Sequence, residues 1–352
     1  MDLNKVDAGL DARVSRLLDA NLDRAREGLR VVEDWCRCGL DRDDLVIPLK
    51  DWRQRLGTLH RDVYKQSRST ATDSGAGLEH PAQLDRHRPE HVVAANCARV
   101  QEALRVLEEY ARTSDPDLAQ TAASIRYGLY DLEVSCLNAT RGGRRHERLN
   151  DVRLCLLTCR TPNLLTIVEK ALRSGVEMVQ YREKTANDRQ RLTEATALAQ
   201  LCRSYGALFI VNDRIDLALA VDADGVHLGQ EDLPSDVARR LLGPERLLGR
   251  STNTLEQVSQ ADAEGCDYLG LGPMFSTAVK PEKNPIDPVM LDRASSLTDR
   301  PIFAIGGINT SNLPTLIANN GRRIAVIGAI MAADDPAAAS QALLQILSRP
   351  HD

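Results

Sequence analysis

The sequence predicts an α/β protein in which an all-α domain with an internal repeat precedes a parallel (β/α)8 barrel, or TIM barrel. Three observations lead to this fold class. The apolar periodicity up to about residue 140 is helical, one motif recurs there at a constant spacing, and short apolar runs alternate with helical stretches after Asp151. The 352 residues also exceed the size of most single cores, which favours two domains.

The first part of the chain has the periodicity of amphipathic helices and no strand-like alternation. Apolar residues recur three and four positions apart, at Val14, Leu17, Leu18, Leu22, Ala25, Leu29 and Val32. Residues 67–89 are rich in Ser, Thr, Gly, Pro and charge, which predicts a long loop.

The internal repeat has the form A-N-x-x-R-x-x-E-x-L-R-V and begins at Ala20 and again at Ala95. Two such copies predict two similar helical hairpins around a pseudo-twofold axis. The repeated charges, Arg24 with Glu27 and Arg99 with Glu102, allow two interpretations. The favoured one is an ion-paired network that fixes the packing of the copies, and the other is a pair of arginines that converge on an anion.

The basic run at 141–148 contains two glycines and lacks apolar periodicity, so we interpret 141–150 as a linker between domains at 1–140 and 151–352. It is too short to indicate a nucleic-acid site. The net charge of −5 gives no electrostatic reason to expect nucleic acid or anionic membrane as a partner.

No apolar run approaches the roughly 20 residues that span a bilayer, and the first five residues lack the features of a signal peptide. The eight cysteines form no CxxC pair and suit reduced structural thiols rather than a zinc site. We therefore expect a cytoplasmic protein that acts on small molecules. The pseudo-symmetry suggests that the helical domain mediates homo-oligomer formation or packs near the barrel.

Eight apolar runs predict the strands of the barrel, at residues 153–158, 178–182, 208–212, 225–228, 247–250, 268–271, 302–305 and 324–327. An open doubly wound sheet is the alternative. It is disfavoured because residues 158–162 contain no glycine where such a sheet needs a glycine-rich turn.

The carboxyl ends of barrel strands carry the chemistry, so the polar residues that follow each run are informative. Strand alternation sends Gln180, Arg182 and Lys184 to one face, which suits a polyphosphate and the edge of a heterocycle. A solvated charge run is the alternative, disfavoured because the two cations would repel each other.

Asp213 and Asp232 follow neighbouring strands, and two carboxylates near phosphate-binding cations suit Mg²⁺ on a diphosphate. Alternatively, Asp213 caps a helix and Asp232 belongs to a turn. His227 lies within a strand and suits a histidine of the barrel interior better than a catalytic one. Ser251 suits a ligand contact or a helix cap equally well.

Residues 270–283 have the composition and length of a mobile lid, on which Thr277 and Lys280 could hold a substrate and a leaving group. Glycine turns follow the last two strands, at 306–307 and at Gly328. In a barrel these two turns are the usual phosphate site.

Taken in order, these segments resemble thiamine-phosphate synthases over nearly all of residues 151–349. The matching segments are Gln180-Tyr181-Arg182-Glu183-Lys184, Val211-Asn212-Asp213, residues 225–232, Gly249-x-Ser251, Gly270-Leu271-Gly272-Pro273, Thr277-x-x-Lys280 and Ile305-Gly306-Gly307-Ile308.

The resemblance implies condensation of an aminopyrimidine diphosphate with a thiazole phosphate, or its carboxylated form, to give thiamine phosphate and diphosphate. It implies Mg²⁺ at Asp213 and Asp232 and catalytic roles for Arg182, Lys184 and Lys280. The implied substrate-binding set is Gln180, Tyr181, Arg182, Glu183, Lys184, Asn212, Ser251, Thr277, Ala278, Val279, Lys280, Gly307, Ile327 and Gly328.

Three positions depart from the family pattern: Val279 and Gly328 stand where hydroxyl residues are usual, and Asn253 replaces a frequent histidine. A thiazole tautomerase on the same barrel is the alternative enzyme, and a non-catalytic regulator of the pathway is the alternative of another class. The helical extension resembles one found on some bacterial synthases.

Overall fold

The computed structural model describes residues 11–68, 86–277 and 284–348. The chain divides into two compact units, Met1–Gly143 and Arg144–Asp352. No helix in the described ranges combines the length and apolarity needed to cross a membrane.

The first unit is helical in all of its regular described segments. Asp11 caps the first helix by accepting a hydrogen bond from the Arg13 amide, and Pro89 stands in the first turn of the fourth, where its missing N–H costs nothing. Most of the predicted loop at 67–89 lies outside the described residues. The helices are α1 (Ala12–Cys38), α2 (Asp43–Thr58), α3 (Asp62–Gln66), α4 (Pro89–Ala111) and α5 (Pro116–Asp151).

The two copies of the repeat form α1 and α4, and they bury equivalent positions. Asn21 and Asn96 each donate a side-chain hydrogen bond of 2.8 Å to the carbonyl four residues earlier. The predicted duplication of the helical domain is therefore confirmed at the level of packing. Eight buried pairs stand 75 residues apart: Leu18/Val93, Asn21/Asn96, Leu22/Cys97, Ala25/Val100, Gly28/Ala103, Leu29/Leu104, Val32/Leu107 and Cys36/Ala111.

An ion-paired network supports both hairpins, but it uses other residues than those predicted. Arg53 of α2 lies 2.8 Å from the buried Glu33 of α1, and Arg126 of α5 lies 3.0 Å from Glu108 of α4. Glu33 and Glu108 are equivalent in the repeat. Arg24 with Glu27, and their copies, form no ion pair within the described part of the chain, so the network interpretation was wrong for them.

The predicted linker at 141–150 is not irregular, because α5 continues through it to Asp151. The boundary between the units falls inside this segment, after Gly143. On the side of the second unit, three side chains anchor the last turns of the helix. Arg145 pairs with Asp224 at 3.0 Å, His146 lies 3.0 Å from Asp267, and Arg148 donates to the Gly206 carbonyl.

The second unit is a closed barrel of eight parallel strands in sequence order. All eight predicted runs are strands, which confirms the predicted barrel and excludes the open sheet. The strands are β1 (Leu154–Leu157), β2 (Met178–Tyr181), β3 (Leu208–Asn212), β4 (Gly225–Leu228), β5 (Leu247–Thr252), β6 (Tyr268–Leu271), β7 (Ile302–Ile305) and β8 (Arg323–Val326).

Helices surround the strands and cover an apolar outer core. Their apolar faces pack on Leu, Val and Ala of the strands, which explains the continuous burial of most strands. They are α6 (Leu164–Arg173), α7 (Asp188–Tyr205), α8 (Ile215–Ala220), α9 (Ser235–Leu242), α10 (Leu255–Ala263), α11 (Met290–Ser295), α12 (Leu313–Ile317), α13 (Gly328–Met331) and α14 (Pro336–Leu347).

A second core fills the inside of the barrel and fixes which residues point inward. It contains Cys155, Leu157, Met178, Tyr268 and Phe303 among others. Because side chains alternate along a strand, the inward face of β2 continues from Met178 to Gln180 and then to Arg182. The same alternation brings Asn212, His227 and Ser251 to the carboxyl end of the barrel.

Candidate active site

A cavity of about 380 Å³ opens at the carboxyl end of the barrel, above the inner core. Its floor is apolar and aromatic, and its walls are polar. Eight of the predicted substrate-binding residues line it: Gln180, Arg182, Asn212, Ser251, Thr277, Gly307, Ile327 and Gly328.

One wall of the cavity comes from β2 and β3. Gln180 is buried on the inward face, Arg182 follows it at the strand end, and Asn212 closes β3. Register pairs Gln180 with Ile210 and Asn212 with His227, so these polar side chains form one continuous wall. Arg182 is held at its backbone, where its amide donates to the buried Thr158 hydroxyl at 2.9 Å.

Two carboxylates and a lysine meet beside this wall. Lys184 Nζ lies 3.5 Å from Asp213 Oδ2. Burial and the adjacent Asp232 carboxylate raise the pKa of Asp213, while Lys184 opposes the rise. Asp213 has a left-handed backbone, with φ of 62°, which an aspartate tolerates better than most residues.

Neither a helix-capping role for Asp213 nor a turn-forming role for Asp232 is enough to explain these two aspartates. Arg214, not Asp213, stands at the cap of α8, so Asp213 does not cap that helix. Asp232 accepts a 2.6 Å hydrogen bond from the Gly229 amide, so it does shape its turn. That bond also fixes its carboxylate next to Asp213.

The floor contains a polar contact that the sequence only partly indicated. His227 lies in the barrel interior with its Nε2 2.9 Å from the Ser251 hydroxyl, and its ring packs on Tyr268 at 5.4 Å between centroids. Tyr268 packs edge-on against Phe303. Thr254, not Ser251, caps α10, so Ser251 is available to the cavity wall.

The opposite wall consists of the turns after β7 and β8. Gly306 and Gly307 have φ values of 104° and 62°, which a side chain would strain. A Cβ at either position would also collide with the 273–276 segment, so only glycine fits there. A Cβ at Gly328, by contrast, would meet nothing within 4 Å, so this turn leaves open space toward the cavity.

Three described residues of the predicted substrate-binding set do not line this cavity: Tyr181, Glu183 and Lys184. Lys184 instead lies beside Asp213. Tyr181 points outward, because it is one position out of phase with Gln180, and its hydroxyl donates to Glu194 of α7 at 2.7 Å. The Glu183 carboxylate accepts hydrogen bonds from the amides of Thr185 and Ala186, so it forms the following turn. The Tyr181 and Glu183 side chains therefore make their contacts away from the cavity lining.

Part of the predicted lid lies outside the described residues, with Ala278, Val279 and Lys280 among them. Thr277, the last described residue before the gap, lines the cavity. Asn253, which departs from the family pattern, also lines it and donates to the Gly272 carbonyl.

Tyr268 is one of several cavity-lining residues that the sequence does not single out. It lies inside an apolar run and has no flanking polar signal. Counting inward positions along β6 would have placed it beside His227. Burial raises the pKa of its phenol well above the ordinary range, so the hydroxyl stays protonated in the floor.

A closed (β/α)8 barrel with cations, a carboxylate pair and glycine turns at its carboxyl end defines an enzyme of the phosphate-binding barrel class. Comparisons with known proteins agree. The family model described as "Thiamine monophosphate synthase" matches residues 154–330, and the model described as "ThiD2 family" matches residues 16–135.

Full-length relatives carry the same name. The thiamine-phosphate synthase of Synechococcus sp. (strain CC9605) is 66% identical over 343 residues, 97% of each chain. That of Thermosynechococcus vestitus is 48% identical over 98% of each chain. A solved thiamine phosphate pyrophosphorylase from Pyrococcus furiosus is 37% identical, with a TM-score of 0.53, covering 57% of this chain and 96% of its own. The chain belongs to the thiamine-phosphate synthase family and is a transferase, which confirms the predicted resemblance.

Proposed function

We propose that this chain condenses an aminopyrimidine methyl diphosphate with a thiazole phosphate, plain or carboxylated, to form thiamine phosphate and diphosphate. The family membership supports thiamine phosphate synthesis. The observation that carries the assignment of the site is the meeting of Lys184 with the Asp213–Asp232 pair beside an apolar-floored cavity.

The diphosphate group is the part of the substrate that this chain's cations would hold. Arg182 presents a planar fork of donors at the end of β2, and Lys184 presents a compact charge beside Asp213. Both charges would stabilise the oxygen that departs when the carbon–oxygen bond of the pyrimidine methylene breaks. Lys280 is the third cation of the proposal, on the lid.

The pyrimidine ring would lie deeper, against the wall of Gln180 and Asn212. Their amides can donate to and accept from the ring edge, and the Ser251 hydroxyl lies on the same level. The apolar and aromatic floor excludes water from the methylene carbon, which would otherwise compete with the thiazole nitrogen.

Asp213 and Asp232 fit Mg²⁺, because their mutual repulsion, which raises the pKa of Asp213, is what a divalent cation would relieve. When bound, Mg²⁺ would neutralise charge on the diphosphate. Two carboxylates suffice, since magnesium sites of this type take further oxygens from substrate phosphate and water.

The thiazole phosphate would occupy the opposite wall. The turns at Gly306–Gly307 and Ile327–Gly328 line that side together with Thr277. Backbone amides of these turns would donate to the phosphate, and Thr277 would add a hydroxyl. The thiazole nitrogen attacks with its own lone pair, so the carbon–nitrogen bond forms without a general base. Positioning the two reactants is then the main task of the protein.

The proposed setting is the cytoplasm. All eight cysteines are free thiols, a state that a reducing compartment preserves.

The test is to mix the protein with hydroxymethylpyrimidine diphosphate, thiazole phosphate and Mg²⁺, and to measure thiamine phosphate by fluorescence after oxidation. We expect product from the parent and a loss of about a hundredfold or more for Lys184→Ala and for Asp213→Ala. Lys170→Ala on α6 and Asp292→Ala on α11 are matched exposed controls and should keep parental activity. Parental rates in both site variants would refute the assigned site, and thiazole isomerisation without condensation would favour a tautomerase.

A further inference from the structure

One partly exposed face of the helical unit has the same or similar residues in both copies of the repeat. On α1 it is the stripe Leu17, Ala20, Arg24, Glu27, Val31 and Trp35, whose spacing of three and four places it on one side of the helix. On α4 the residues 75 positions later are Val92, Ala95, Arg99, Glu102, Val106 and Tyr110. We name these two stripes the twin face.

Packing inside the unit accounts for only part of this similarity, namely Trp35, which packs on the helical core and donates a hydrogen bond to Thr140. Leu17, Val31 and Tyr110 are 38%, 41% and 49% exposed, so they do not fill the core. The four charges of the twin face are also exposed, and in the described part of the chain none of them forms an ion pair. Surface positions of this kind tolerate substitution at little cost in stability, so their preservation in both copies indicates contact with something outside the unit.

The packing of α1 on α4 sets the order of the charges. Gly28 lies directly against α4, where an added Cβ would be 2.5 Å from Val100 and 3.2 Å from the Asn96 carbonyl oxygen. Asn96 and Val100 are the repeat equivalents of Asn21 and Ala25. Gly28 can meet them in a twofold arrangement only if the helices pass each other in opposite directions, with the crossing near Ala25.

This register gives the twin face an alternating charge pattern. Arg24 lies at the level of Glu102 on the neighbouring helix, and Glu27 lies at the level of Arg99. These four charged residues form the corners of a quadrilateral on the twin face, and the signs of their charges alternate around it. A copy of the same pattern, turned over about an axis that lies in the face and runs parallel or perpendicular to the helices, sets each arginine against a glutamate.

We propose that the twin face is a homodimer interface and that its occupant is the twin face of a second copy of this chain. The alternating corners supply charge complementarity and specificity. The exposed leucine, valine and tyrosine side chains supply apolar and aromatic area around them, as protein interfaces require. A twofold face is also what an isologous dimer uses, since each patch must complement itself.

Charge reversal at the four corners tests this interface in the full-length chain. One variant, Arg24→Glu with Arg99→Glu, makes all four corners acidic, and a second, Glu27→Arg with Glu102→Arg, makes them all basic. A third variant combines the four changes and so restores alternation with reversed signs. Lys50→Glu on α2 is the matched control. Mass is measured by sedimentation velocity, folding by circular dichroism, and thiamine phosphate formation in parallel.

We expect the parent, the control and the fourfold variant to sediment as dimers of the 38.8 kDa chain. The acidic and basic variants should each be monomeric, and mixing them in equal amounts should restore a dimer. All five should form thiamine phosphate at parental rates, because the barrel site is untouched. The mass measurement alone decides the proposal, so its outcome does not depend on the proposed function.

Three results would overturn the proposal: a monomeric parent at every concentration, a dimer that survives in the acidic variant, or a mixture of the two variants that stays monomeric. A parent that stays monomeric and binds inorganic phosphate, together with an acidic variant that does not bind it, would instead assign the arginines to an anion site.

Discussion

Replacing Asp213 by asparagine tests whether the two carboxylates at the cavity repel each other. The Asp213 side chain is 28% exposed, and burial and Asp232 together raise its pKa above the ordinary value of 3.8. A carboxyl group with a raised folded-state pKa costs stability at neutral pH, and this cost disappears as the pH falls towards 3.8. The substitution Asp213→Asn removes the charge and keeps the shape of the side chain.

The expected gain follows from the direction of this shift. The raised pKa of Asp213 already includes the opposing effect of Lys184 at 3.5 Å, so removing the charge should be a net gain, and improvements of this kind are typically worth about 1 kcal/mol. For a unit the size of the barrel this raises Tm by about 2–4 °C. The gain should be full at pH 7 and should shrink as the pH approaches 4.

The assay is thermal unfolding with EDTA, at pH 7 and at pH 5, followed by circular dichroism. Asp216→Asn is the matched control, because a hydrogen bond from Arg214 lowers the pKa of Asp216 and the same substitution should therefore not stabilise. Added Mg²⁺ with diphosphate should raise the Tm of the parent more than that of the variant. A variant that melts at or below the parental temperature in EDTA at pH 7 would refute the repulsion.

Three further predictions concern stability. Asp267→Asn should cost about 1.5–3 kcal/mol at pH 7 in urea titrations, because the hydrogen bonds of Asp267 outweigh its burial and lower its pKa. This stabilisation should fade as the pH drops. The rate of thiamine phosphate formation should not change, because Asp267 lies at the end of the barrel opposite the cavity. Gly249→Ala should cost about 1–3 kcal/mol by the same measurement, since the new Cβ would lie 2.2 Å from the Tyr268 ring. Arg53→Met should cost about 3–5 kcal/mol, because it leaves the carboxylate of Glu33, which is 3% exposed, without this partner. Arg126→Met should cost less, because its partner Glu108 is 15% exposed. Equal urea midpoints for the two variants would contradict this order.

The barrel was predictable because its strands are short apolar runs separated by helices, and a parallel sheet buried on both faces needs such runs. The inward phase of β2 was predictable for the same reason, since Gln180 and Arg182 lie two positions apart. β8 ends at Val326, one residue before the predicted end, and Ile327 lies in the turn that follows.

The helix at 141–150 was not predictable from local signals. Two glycines each cost a helix about 1 kcal/mol, and no apolar stripe compensates for them. What holds the last turns are partners far away in sequence, such as Asp224 for Arg145 and Asp267 for His146. No periodicity within the segment reports such contacts.

Cavity-lining residues were predictable where they follow a strand on its inward face. Residues predicted only because they belong to a matching segment were not reliably placed. Tyr181 belongs to a matching segment, yet its phase on the strand sends it to α7. Tyr268 shows the converse error, because an aromatic residue within an apolar run resembles ordinary core. The inward phase of β6 was enough to predict that Tyr268 faces the barrel interior, and the register of β5 with β6 adds that it lies over Gly249 and beside His227.

The duplication in the helical unit has a consequence for how its halves have changed. Two hairpins joined in one chain meet at a high effective concentration, so their pairing does not depend on how much protein is present. Once tethered, the halves are also free to become different. Asp19 of α1 is buried with His60 and Arg68 at 2.8 Å and 2.7 Å, whereas the equivalent position in α4 is Ala94. Within the residues that the structure describes, this position is therefore ionic in one half and apolar in the other, an asymmetry that a dimer of identical hairpins could not have acquired.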